Sequence, residues 1–152
     1  MFNFRYFPLI ISLSFTVPIY AEDLEEIVVT ALKRSSTVVD TPAAITAISS
    51  TEIEDKGITS MHDLKHLVPS MNFTNVLGSQ NITIRGIGQF NGNPGVSVST
   101  DGIFQSRAHS SQLGEMDLER VEVLRGPQGT LYGRNSIGGV VNLITKNPTQ
   151  DM

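Results

Sequence analysis

No cysteine occurs among the 152 residues of the chain. Disulfide scaffolds, thiolate zinc sites and thiol nucleophiles are excluded at once. A basic surplus is missing too. Lys and Arg number 11 against 15 Asp and Glu, and no basic stripe gathers them, so nucleic acid is not an expected partner. Long apolar runs are scarce, and the one near the start falls short of the ~20 residues that a spanning helix requires. There is no Gly-x-Ser-x-Gly elbow for a serine hydrolase.

Two glycine-rich signals and one histidine pair hint at ligands and then fail in detail. A phosphate loop needs Lys and then Ser or Thr after its last glycine. Here Gly133 is followed by Arg134 and Asn135, and the spacing from Gly129 is one residue short. The dinucleotide fingerprint starts at Gly86 and Gly88 but has Asn91 at its third position, with no helix to follow. His62 and His66 lie four apart, yet Asp63 stands where a zinc-protease helix carries Glu, and no third ligand is evident. Solvated or packing histidines are the better reading. The expectation is a non-enzyme with no catalytic residues, no metal site and no cofactor.

What is present starts with an export signal. Arg5 supplies the positive charge, Tyr6 to Val17 is largely apolar, and Pro18-Ile19-Tyr20-Ala21 ends in a small residue. Residues 1–21 thus read as a secretory signal peptide cleaved after Ala21. The segment after it is acidic, with nine acids and three bases over residues 22–63. Next comes a short β-prone run, Ile27-Val28-Val29-Thr30-Ala31. At an unanchored terminus such a strand either pairs with another protein's sheet edge or serves as the first strand of its own sheet.

Further along, Thr41 to Ile48 reads as a strand after a proline-marked boundary. Residues 49–58 carry helix-start chemistry, Ser49 with Glu52 or Thr51 with Glu54, and Gly57 is placed to end the helix. A second short helix opens at Ser60 and Asp63, repeats Met61, Leu64, Leu67 and Val68 at helical spacing, and stops at Pro69. Asn81 to Gly88 is a strand and turn. Val96 to Thr100, then Asp101-Gly102, then Ile103 to Ser106 is the strongest hairpin signal in the chain. Between these elements, 89–95 and 107–112 are polar loops.

The densest pattern lies at residues 120–148. Val121 and Val123 alternate with Glu122 and Leu124, the period of a half-buried strand. Val140 to Thr145 is apolar at nearly every position, as in a strand buried on both faces. Gly126, Gly129, Gly133, Gly138 and Gly139 stand between, with Pro127, so the order is strand, tight irregular turns, strand.

The run Val-Glu-Val-Leu-Arg-Gly-Pro-Gln-Gly-Thr-Leu-Tyr-Gly-Arg-Asn, followed by Gly-Gly-Val-Val-Asn-Leu-Ile-Thr-Lys, resembles the C-terminal half of the plug domain of TonB-dependent outer-membrane receptors. Ile84-Arg85-Gly86, Asp101-Gly102 with its flanking strands, and Leu118-Glu119-Arg120-Val121-Glu122 match the same pattern in order. The resemblance runs from Glu26 to about Pro148.

It implies an α+β fold, a small mixed sheet of about four strands with short helices and long loops. It divides the chain into a periplasmic tail (22–40), a plug (41–148) and a stub (149–152) where a barrel of about 22 strands would begin. Glu26, Ile27, Val28, Val29, Thr30 and Ala31 are similar to the TonB box, the strand that joins the sheet of periplasmic TonB and its inner-membrane energising complex. Arg85 and Arg125 correspond to plug arginines that pair with glutamates of the barrel wall. Gln89, Phe90, Asn91 and Asn93, with Gln105, Ser106 and Arg107, are the expected ligand-facing loop residues.

The function so implied is gating of an outer-membrane receptor in a Gram-negative bacterium, for a scarce nutrient such as a ferric siderophore. The chain is expected to be truncated before the barrel, with the barrel supplied elsewhere or lost. A stand-alone periplasmic module that binds TonB or a ligand without transport is the alternative.

Overall fold

A computed structural model describes residues 27–30, 32–33, 35–39, 41–76, 79–89, 92–105 and 117–148, with backbone alone at Asn75, Val76, Ser79 and Gln80. The expected signal peptide, residues 22–26 and the stub at 149–152 lie outside the described residues. In chain order the elements are β1 (Val28–Val29), β2 (Ser36–Thr37), β3 (Ile45–Ser49), α1 (Ser50–Asp55), a 3₁₀ helix (Met61–His66), β4 (Met71–Val76), β5 (Ser79–Ile84), β6 (Val96–Thr100), β7 (Ile103–Phe104), β8 (Leu118–Arg125), α2 (Gly129–Tyr132) and β9 (Gly139–Thr145).

The central sheet has five strands in the order β3-β8-β9-β6-β7. It is mixed, because β6 and β9 run parallel while the other pairs are antiparallel. The α+β expectation holds, with one strand more than the four anticipated. On one face Ile48, Val98, Val121, Val123, Val141 and Leu143 pack against Met61, Leu64 and Val68 from the 3₁₀ region and Phe73, Ile82 and Ile84 from the β4–β5 hairpin. On the other face Ile45, Leu124 and Val140 meet Val29, with Ile27, Val38 and Tyr132 partly buried beside them. Each fully buried Val or Leu contributes roughly 1.5–3 kcal/mol relative to exposure.

That second face corrects the reading of β8. The alternation of Val121 and Val123 with Glu122 and Leu124 suggested one wet side, yet Glu122 and Leu124 are both fully buried. The alternation is real, but β8 has neighbours on both edges and the N-terminal segment covers the side expected to meet water. Val140 to Leu143 of β9 are buried throughout, as the unbroken apolar run requires.

Local signals translate into structure with shifted bounds: the strand expected over 41–48 is Ile45–Ser49, the helix expected over 49–58 is Ser50–Asp55, and the second short helix is 3₁₀. Ser49 caps α1, its side chain accepting the Glu52 N–H at 3.2 Å. Gly57 ends it with φ of 60°, while Gly57 N–H bonds Glu54 O and Ile58 N–H bonds Ile53 O, the paired closure of a left-handed glycine cap. Ser60 and Asp63 form a reciprocal capping box at the next turn. Asp101 and Gly102 take φ of 49° and 80°, both left-handed, as a two-residue hairpin turn demands. Strand β4 went unread, although Met71 and Phe73 are buried and Asn72 and Thr74 exposed along it, a period of two.

Candidate functional site

One end of the sheet gathers the two arginines. β5 ends at Ile84, and Arg85 follows in a left-handed turn (φ 53°), donating its N–H to Ser70 O at 2.9 Å. β8 ends at Arg125, whose N–H bonds Ala44 O at 2.9 Å. A Cβ placed on Gly126 would lie 3.7 Å from Arg85 Nη1, so the Arg85 guanidinium sits over the residue next to Arg125. Gly126 itself has φ of 114°, a conformation that side chains rarely adopt. Arg125 Nε is buried and makes no hydrogen bond. Among the described residues no carboxylate pairs with either arginine.

The glycine-rich loop closes this end. Gly126 N–H bonds Gly138 O, Gln128 N–H bonds Ser136 O, and Gly138 N–H bonds Gly95 O. These backbone donors are engaged within the chain, as in a folded turn. Gly95 approaches so closely that a Cβ there would collide with the Gly88 carbonyl oxygen. Residues 86–89 and 92–95 therefore pack at the arginine end. Gln89 and Asn93 are exposed there, and Gln89 N–H is held by Asn81 Oδ1 at 2.9 Å. Phe90 and Asn91 lie outside the described residues. Gln105 is exposed and bonds Val98 O at 2.8 Å, while Ser106 and Arg107 lie outside.

The N-terminal strand is not a free end. β1 pairs with β2 over two residues, Val28 with Thr37 and Val29 with Ser36. Val29 is fully buried against the sheet, whereas Val28 is 48% exposed. Ile27 and Thr30 are half-buried; Glu26 and Ala31 lie outside the described residues.

Beneath β1 a row of polar residues crosses the sheet, and sequence reading had not singled it out. Ser99 on β6, Asn142 on β9 and Glu122 on β8 stand in direct register. Ser99 Oγ donates to Asn142 Oδ1 at 2.8 Å, and Asn142 Nδ2 donates to Glu122 Oε2 at 3.4 Å. Glu122 Oε1 accepts Thr30 N–H at 2.8 Å and Arg120 Nε at 2.8 Å. Arg120 also meets Glu119 and, at 3.3 Å, Thr30 Oγ1. The available signal was polar Asn142 within an apolar run, opposite Glu122. Tyr132 borders this face, and burial, with the nearby charge of Glu122, pushes its hydroxyl up to about 12. An open cleft of about 680 Å³ lies alongside, lined by Thr30, Lys33, Arg120, Tyr132, Asn142 and Lys146 among others.

His62 and His66 are exposed, and the His62 ring packs 5.8 Å from that of Phe73. Among the described residues no group of His, Cys, Asp and Glu is arranged to hold a metal.

These features place cationic side chains at one end of the sheet and a short strand on one face. The chain belongs to the family of TonB-dependent receptor plug domains, which it matches over residues 37–140. It is 35% identical over 132 residues to the pesticin receptor of Yersinia pestis, an alignment covering 84% of this chain and 20% of the receptor. It is 32% identical over 152 residues to the iron-regulated outer membrane virulence protein of Vibrio cholerae, covering 92% of this chain and 23% of that protein. The crystal structure of the ferric yersiniabactin uptake receptor FyuA from Yersinia pestis superposes with a TM-score of 0.64 at 33% identity, over 72% of this chain and 18% of that one. The chain thus spans about one fifth of the length of the curated relatives it matches. Those relatives are receptors and outer-membrane proteins, not enzymes.

Proposed function

We propose that residues 41–148 gate an outer-membrane receptor of a Gram-negative bacterium that imports a scarce nutrient, a ferric siderophore or a similar complex. Residues 26–31 would receive the pull of TonB and its energising complex, and the loops carrying Gln89, Phe90, Asn91 and Asn93, and Gln105, Ser106 and Arg107, would face the ligand. Ferric yersiniabactin uptake by the similar receptor supports the ligand class.

The observation that carries the reading is the arginine end. The Arg85 guanidinium lies over Gly126, the residue next to Arg125, and a buried Arg125 Nε–H lacks an acceptor. A buried donor without an acceptor is unfavourable within the domain and becomes favourable when a carboxylate of a surrounding wall approaches. Polar contacts of this kind in a wet interface exchange with water at small net cost, which suits a plug that must be both seated and displaceable.

The test is a receptor in which residues 22–148 replace the corresponding plug of the ferric yersiniabactin receptor. Uptake of ferric yersiniabactin is expected to fall strongly when Arg85 and Arg125 are both changed to Ala, with outer-membrane assembly retained. Undiminished uptake by the double variant would overturn the role of the arginines.

A further inference from the structure

Glu122 is a costly choice at the centre of a sheet. It is fully buried, flanked in register by Ala47 on β3 and Asn142 on β9. A well-packed apolar side chain in such a place is often as stabilising as a buried ion pair or more so. An apolar side chain could not, however, accept an N–H from a segment lying across the sheet. Glu122 does that for Thr30, the residue that follows β1.

We propose that Glu122 is a positioning residue that holds β1 docked on the sheet, and so sets how often this strand is free to join another protein's sheet. Its significance for TonB rests on the reading of residues 26–31 given above. Thr30 Oγ1 belongs to the same anchor, donating to Glu122 Oε1 at 3.4 Å and accepting from Arg120 Nη2 at 3.3 Å, and the other attachments of β1 are weak or non-directional. The ladder to β2 is two residues long, and Val29 is held by apolar contact with Ile45, Leu124 and Val140, which does not fix a strand's position along its own axis. The bond to Glu122 does. Oε1 occupies a backbone donor that strand addition would otherwise claim. Asn142 and Arg120 fix the carboxylate from either side, so the acceptor is rigid before β1 arrives. Because one hydrogen bond is exchanged for another, undocking has a small net cost. Ser99 orients Asn142 from β6, the strand whose hairpin leads on to Gln105.

The experiment reads docking directly. The chain has no cysteine, so Val28→Cys in the full chain accepts a single nitroxide label at a half-exposed position. Electron paramagnetic resonance then measures the mobile fraction. Glu122→Met is expected to raise the ratio of mobile to immobile label about tenfold, the scale of one lost charge-assisted hydrogen bond, while thermal stability of the sheet is kept. Glu122→Gln, which retains a neutral acceptor, is expected to restore most of the docking. Should Glu122→Met not fold, Thr30→Pro removes the same donor and leaves every sheet residue intact. A label equally immobile in the folded Met and Pro variants overturns the proposal.

A second arm separates this result from the TonB reading. A synthetic segment of residues 22–35 is titrated with the periplasmic domain of TonB beside the full chain and its Glu122→Met variant. The segment is expected to bind about tenfold tighter than the full chain, because docking withholds the strand, with the variant lying between. No binding by the segment would sink the TonB assignment, whatever the label shows.

Discussion

Glu122 Oε1 accepts the backbone N–H of Thr30 at 2.8 Å across 92 residues of chain. This bond joins the first described strand to the middle of the sheet, and it makes the surroundings of Glu122 unusually sensitive to change.

Arg120 is the first place to see that sensitivity. Its side chain is 11% exposed and its Nε lies 2.8 Å from Glu122, which is fully buried. Arg120→Ala leaves the carboxylate buried without its cation, and stability is expected to fall by about 3–5 kcal/mol. The check is urea unfolding of the folded chain. Glu122→Met, which removes the charge instead of orphaning it, should cost far less in the same measurement.

Tyr132 gives an optical report on the same charge. Its hydroxyl is pushed from an ordinary 10.0 up to about 12, first by burial and then by Glu122. A folded-state value above the unfolded one means that the stabilisation is complete below about pH 10 and is lost as pH rises through about 12. In a chain starting at residue 22 Tyr132 is the only tyrosine, so absorbance at 295 nm follows it alone. Glu122→Gln is expected to lower the midpoint of that titration.

Asp63 should govern acid behaviour at the 3₁₀ helix. Hydrogen bonds from Ser60 above all, and from Thr59, hold its carboxyl below the ordinary 3.8, against a weaker effect of burial. The sign is opposite to that of Tyr132. The cap is fully present above about pH 3.8 and is lost as pH falls through the depressed value. Asp63→Asn is expected to weaken the cap slightly near neutrality, and amide exchange at Ser60 and Thr59 would locate the loss.

The arginine end should separate stability from function. Arg125 Nε is a buried donor without an acceptor, so Arg125→Ala is expected to leave thermal stability of this domain unchanged or slightly raised, by up to about 1 kcal/mol. A large destabilisation in a calorimetric melt would show that Arg125 serves the domain's own fold instead of a partner.

Much of this arrangement was legible residue by residue. The helix cap, the left-handed Gly57 and the Asp101–Gly102 turn all rest on interactions among a few neighbouring residues; of the two caps the sequence allowed, Ser49 with Glu52 formed, and Gly57 and the turn formed where the sequence placed them. The apolar run of β9 announced a central strand for the same reason. Strand β4 was overlooked although its period of two was visible, because the polar residues around it dilute the signal. The burial of Glu122 was another matter. No neighbour in sequence shows that the second face of β8 is covered, since the covering comes from residues near the other end of the chain.

The amino-acid sequence by itself determined most of the elements, the helix cap residues and the hairpin turn, together with the ordered motif that identifies the family. Only the tertiary structure decided that Arg85 lies over Gly126, that Val29 is sealed against Leu124, and that a carboxylate in β8 holds the N-terminal strand. The physical reason is range. Backbone preference and hydrophobic period act over a few residues, whereas burial and electrostatic partnership depend on which distant segments the folded chain brings together.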